Sequence, residues 1–165
     1  MAYRNRTYTI FDGDNDMWAY AYMKGWKASR HIDFDFYDAH DIQKMPRAQD
    51  EAYVKAGLRL RLQHTKQAIV LCGESTKNLY RFVRWEIETC LEKGIPIVVA
   101  NLNKLRSFDS DRCPPILNGR GAMHVAFGAR IIKFALDNYA EDPKEYKSLT
   151  NWYYEGKIYK ELGYD

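Results

Sequence analysis

The residues with chemical potential in this 165-residue chain gather around a few turns. Glu86 falls early in the segment Phe82-Val83-Arg84-Trp85-Glu86-Ile87. Asp12, Asp14 and Asp16 follow an apolar run ending at Phe11, and Gly73 and Ser75 follow another ending at Cys72. A carboxylate near the start of a helix meets the positive end of the helix dipole, and in an open parallel sheet ligands sit outside the carboxyl ends of the strands. Glu86 is therefore either a group aimed at a ligand or a dipole complement on a solvated rim. Phe11 offers a ring face for stacking, Asp12 and Asp14 border it, and Gly73 with Ser75 would let the backbone approach a phosphate. Asp38 and His40 are candidates only by their place after the run 32–38.

The elements that must position these groups follow from periodicity. Residues 68–72 form a short apolar run closed by Gly73, and residues 95–100 form a second. Between them Leu79, Val83, Ile87, Cys90 and Leu91 fall at helical spacing and make one apolar stripe, with Trp85 and Glu88 pointing away from it. Strand, helix, strand in that order is a βαβ unit, hence a parallel sheet. Ahead of it stand a first strand over 6–11, an aromatic-rich helix over 17–26, an alternating strand over 32–38, a polar mobile loop over 37–50 and a helix over 51–66. Within that helix Ala56, Leu58 and Leu62 mark the apolar face, leaving Arg59, Arg61 and Lys66 on the solvated side. A long Pro- and Gly-containing loop over 104–121 follows the fourth strand, and loops of that length are commonly functional or mobile. A short strand over 123–127 and a helix over 129–139 close the pattern, and the tail 141–165 carries Trp152, Tyr153, Tyr154 and Tyr159, which should dock on the body or form a protomer interface. The expected architecture is α/β, a three-layer flavodoxin-like open sheet, mainly parallel and flanked by helices, in one domain with its core over 6–139.

The same residues carry a resemblance. Val70-Leu71-Cys72-Gly73-Glu74-Ser75-Thr76 followed by Phe82-Val83-Arg84-Trp85-Glu86-Ile87 resembles the strand, Thr-containing loop and helix start of bacterial TIR-like domains, nearest to the ThsB family of Thoeris anti-phage systems. The likeness extends over about residues 6–139. The opening loop Phe11-Asp12-Gly13-Asp14-Asn15-Asp16 is more acidic than the family's usual serine-containing loop, and Phe82 stands where the family usually has Trp. The resemblance implies that Glu86 is the catalytic residue for NAD breakdown, with Phe11, Asp12, Asp14, Asp38, Gly73 and Ser75 around the substrate. Nicotinamide in NAD is a cationic leaving group that needs no general acid, so one carboxylate can suffice. It can stabilise the oxocarbenium-like transition state, hold ribose hydroxyls or form a transient ribosyl ester, and the sequence does not choose among these. NAD would be substrate, with no resident cofactor. The product would be a cyclised or conjugated ADP-ribose signal that activates a separate effector protein, and the loop 37–50 would serve self-association. Two other functions fit the same layout. One is a nucleoside deoxyribosyltransferase-like enzyme, which also sets a glutamate on an N-glycosidic bond. The other is a non-catalytic adaptor that assembles through the loop 37–50 and an exposed Trp85.

Composition narrows the field further. The net charge is only +3, from 25 basic and 22 acidic residues, so no dedicated nucleic-acid-binding face is expected. Cys72, Cys90 and Cys113, with histidines at 31, 40, 64 and 124, share no ligand-like spacing, which argues against a zinc site and for reduced thiols. The start of the chain runs into a strand without an apolar leader, and no stretch has the length of a membrane span, so a soluble cytoplasmic protein is expected. Acidic residues after a first strand also hold magnesium in phosphorylation receivers. A receiver needs an Asp ending its third strand, where this chain has Leu71-Cys72-Gly73, and a calcium loop needs a longer acidic spacing. Turn formation and ligand contact remain as readings of Asp12, Asp14 and Asp16.

Overall fold

A computed structural model of the chain describes residues 7–29, 50–79, 81–139 and 149–165. The expected strand over 32–38, the loop 37–49, and with them Asp38 and His40, lie outside the described residues. Among the described residues there are five strands: β1 (Thr7–Ile10), β2 (Gln67–Cys72), β3 (Ile97–Asn101), β4 (Met123–Ala126) and β5 (Trp152–Tyr153). They lie side by side in chain order, every pair parallel, with Tyr8 beside Ala68, Ile69 beside Val98, Ala100 beside Val125 and Met123 beside Trp152.

Strict alternation along the strands divides two cores. Ile69, Leu71, Val98, Ala100, Met123 and Val125 face α1 (Met17–Ala28), α4 (Ala129–Asn138) and α5 (Gly156–Glu161). Tyr8, Ile10, Ala68, Val70, Ile97 and Val99 face α2 (Glu51–Arg61) and α3 (Phe82–Glu92). The result is the expected three-layer α/β sandwich, with near-continuous apolar strands because both faces are covered.

Local chemistry sets the ends of the helices that matter for the site. Asp50 starts α2 by accepting a hydrogen bond from the Tyr53 amide at 3.1 Å. Gly94, at φ +69, ends α3 in a Schellman motif, where Gly94 N–H bonds the Leu91 carbonyl and Ile95 N–H bonds that of Cys90. α2 and α3 are joined on their outer side by Lys55–Glu88 at 2.6 Å and Arg59–Glu92 at 3.3 Å.

The structure departs from the periodicity reading in three places. Leu58 and Leu62 are buried as expected, but Val54 completes their face in α2 while Ala56 is exposed. Trp85 is buried, 7% exposed, packing with Phe82 in the α2–α3 core instead of pointing outward. A helical projection assumes one packed face, but α3 is covered by the sheet, by α2 and by the turn at Pro115–Leu117. The loop after β3 is tied down: Asn101 Nδ2 donates to the carbonyls of Leu105 and Ser107, and Asp109 accepts from the amides of Asp111 and Arg112. The aromatic tail docks as expected and adds what periodicity did not show, the two-residue β5 and α5. Tyr159 is fully buried, and its hydroxyl accepts from the Ala126 amide.

Candidate active site

The carboxyl ends of β1 and β2 release two loops that grip each other. Asp12 is buried, and its carboxylate accepts from the amides of Asp14 and Asn15 and from Asn15 Nδ2 at 2.7 Å. It is thus spent on a turn, as the short side chain of an Asp suits. Asp16 turns toward the neighbouring loop, where the Thr76 hydroxyl lies 3.5 Å from Oδ2. That hydroxyl accepts from the Gly73 amide at 2.8 Å. A Cβ on Gly73 would collide with the Asp16 carboxylate, so the space expected to receive a phosphate holds a carboxylate of the chain itself. Burial raises the Asp16 pKa, the Asp12 charge adds to the rise, and Thr76 opposes it. Asp16 and Thr76 form the latch that the sequence reading missed, because only the fold brings residues sixty apart together.

Between these loops and the start of α3 lies a cleft of about 200 Å³. Phe11 through Asp14 form one wall, and Asn78, Leu79, Arg81, Phe82 and Val83 form the other. Phe11 is fully buried with one face stacked on Tyr20 at 4.6 Å, so its ring serves the core as much as the cleft. Asp14 is exposed at the rim, and Ser75 stands partly buried at the start of the short turn Thr76–Asn78, outside the cleft lining.

Glu86 lies one helical turn beyond Phe82 and Val83 in α3, does not itself line the cleft, and is buried rather than on a solvated rim. It is 0% exposed. Its Oε2 accepts from the Tyr8 hydroxyl at 2.5 Å, a link from β1 to α3 across 78 residues. Burial pushes the Glu86 carboxyl up to about 8, against a downward pull from the Tyr8 hydrogen bond. Burial first, and then the Glu86 charge, holds the Tyr8 phenol well above its ordinary value. Cys90, one turn further along α3, is likewise raised by burial and by Glu86, so it is a packed thiol and not a nucleophile. A group of this kind is a proton-bearing acid at neutral pH in the free protein. It becomes a carboxylate when a positive charge arrives within about 4–6 Å, which favours the ionised form by one to three units.

A sequence profile described as Thoeris protein ThsB, TIR-like domain, matches residues 8–107. The chain belongs to the Thoeris ThsB TIR-like family. The matched stretch runs from Tyr8 to the loop after β3. It therefore contains Glu86, its phenol partner, both latched loops and the whole cleft wall of this TIR-like domain. It is narrower than the likeness over 6–139 read from the sequence, leaving β4, α4, β5 and α5 outside. A comparison with curated proteins gave no match. Among the described residues no helix is long and apolar enough to cross a membrane.

Proposed function

We propose that this Thoeris TIR-like protein consumes NAD, cleaving the bond between nicotinamide and ribose with Glu86 as the catalytic carboxylate. The released ADP-ribose unit would be cyclised or conjugated into a signal for a separate effector protein. The observation that carries this reading is the position of Glu86: a fully buried carboxyl on α3, held by Tyr8, one helical turn beyond Phe82 and Val83, which line a cleft at the carboxyl edge of the sheet. The pyridinium of NAD brings the positive charge that a buried acid of this kind needs in order to ionise. Once ionised in a dry setting, the carboxylate faces the positive charge that grows on the ribose as nicotinamide leaves, and the low dielectric strengthens that attraction. Arg81, exposed and lining the cleft, would be a cation for the pyrophosphate. The cleft is smaller than the roughly 300 Å³ at which ligand pockets usually begin, so it suits the nicotinamide end, with the rest of the dinucleotide lying across neighbouring surface.

One observation favours a second reading, a non-catalytic adaptor. Complete burial and the Tyr8 bond are also what a structural acid joining β1 to α3 would show. The burial of Trp85 removes one of the two assembly surfaces that this reading relied on. Bacteria expressing the wild type or Glu86→Gln, with and without phage, separate the two. Filtered lysates are followed by mass spectrometry for NAD and new ADP-ribose-derived species. The enzyme reading expects a new species and falling NAD only in infected cells carrying the wild type, with a loss of at least about 10²-fold in Glu86→Gln. Identical metabolites with phage protection retained in both strains would leave the adaptor.

A further inference from the structure

We infer that the groove between α1 and α4 is a second ligand site, one for a nucleotide, which takes an aromatic base against a tryptophan wall and phosphates on a basic rim. The groove holds about 770 Å³ outside the carboxyl ends of β3 and β4, and its helices α1 and α4 cover the sheet face opposite to that of α3 and Glu86. Its ligand owes nothing to the NAD reading.

One wall is aromatic. Trp18, Tyr22 and Trp26 are four residues apart in α1 and so form one stripe. The stripe that packs on the sheet is a different one, Ala19, Tyr20 and Met23. Trp18 and Tyr22 are 48% and 59% exposed, an unusual amount of ring surface to leave in water on adjacent turns. Phe127, directly after β4, meets Trp18 edge-on at 5.9 Å and Trp26 at 5.0 Å, which fixes the wall in shape.

The rim is cationic. Lys104 stands in the turn after β3, and Arg130 and Lys133 stand in the first turns of α4, while no carboxylate lines the groove among the described residues. The cations are held in place: Arg130 Nη1 donates to the Leu162 carbonyl, and Lys133 Nζ bonds Asp137 at 2.7 Å. Gly128 and Ala129, also in the lining, open α4, so the positive end of a ten-residue helix adds to the same field. Tyr164 also lines the groove, its hydroxyl accepting from the Ile131 amide. Flat rings on one side and fixed cations on the other match a molecule with an aromatic base and anionic phosphates. A volume inside the usual 300–1,000 Å³ range suits such a molecule better than an extended peptide or a bilayer.

The full chain is titrated with ADP, adenosine and inorganic pyrophosphate at fixed ionic strength, read by calorimetry and by quenching of tryptophan fluorescence. ADP is expected to bind at one saturable site, at least tenfold tighter than either fragment. Trp18→Ala and Arg130→Gln are each expected to weaken ADP tenfold or more with unchanged circular dichroism, while Glu86→Gln and Arg81→Gln bind as the wild type does. Should Arg130→Gln loosen the terminal segment that it touches, Trp18→Ala, at a half-exposed position, decides alone. Pyrophosphate binding as tightly as ADP would reduce the groove to a basic surface. Weakening by Arg81→Gln instead of Trp18→Ala would put the ligand in the Glu86 cleft, and either result overturns the assignment.

Discussion

Two concavities formed by described residues lie at the carboxyl edge of one sheet, and they are built on opposite principles. The cleft beside the start of α3 is small, the loops after β1 and β2 are latched to each other through Asp16, Gly73 and Thr76, and Glu86, one helical turn further along α3, is sealed from water. The groove beside α4 is nearly four times larger, the rings of Trp18 and Tyr22 are half exposed in it, and Lys104, Arg130 and Lys133 line its rim. Burial explains the contrast. A carboxyl withdrawn from water gives up its charge and can recover it from a cationic partner, which makes it a conditional group. Lysine and arginine at a solvated rim keep their charge, so such a rim attracts anions continuously and does little chemistry by itself.

Substitutions can break this contrast at either end. The largest effect is expected on the groove side, where Tyr159 fills the core under α4. Tyr159→Ala should cost about 3–5 kcal/mol of stability in denaturant unfolding, as for other buried aromatics cut to alanine. A value under about 1 kcal/mol would mean that the terminal segment is an accessory and not a support. On the cleft side, Gly73→Ala pushes a methyl into the Asp16 carboxylate and should cost about 1–3 kcal/mol. The same melts would detect a latch of no consequence as an unchanged midpoint. A graded effect sharpens the contrast through pH. Glu86 has a folded pKa raised above its unfolded value, so its contribution is full below about 4.5 and is lost as pH rises through about 8. Relative to the wild type, Glu86→Gln should therefore gain stability across that window by up to about 1.4 kcal/mol per pH unit, and no more above it. His124, lowered to about 4 by burial, is present in both proteins and cancels in the difference.

The sheet and most helices were legible in the sequence because their apolar runs are continuous and end at Gly73, Gly94 or polar turns, signals that need no knowledge of partners. β5 and α5 were not, since two residues cannot show alternation and six barely show a helical period. Glu86 was found from its place in α3, but its environment was not, because burial and the Tyr8 bond depend on a strand 78 residues away. Trp85 was misplaced for the same reason: its cover comes from neighbouring elements and not from its own helix. The acidic opening loop was legible in part, since Asp12 forms the turn that an Asp-Gly pair suggests.

The most direct test concerns the charge on Glu86. The carboxyl can be followed by infrared difference spectra of wild type against Glu86→Gln from pH 5 to 10, alone and with either cationic N-methylnicotinamide or neutral nicotinamide. The account predicts a midpoint near 8 in the free protein, moved down by one unit or more by the cation and left in place by the neutral ring. A midpoint in the ordinary carboxylate range, or one that ignores the cation, would contradict it.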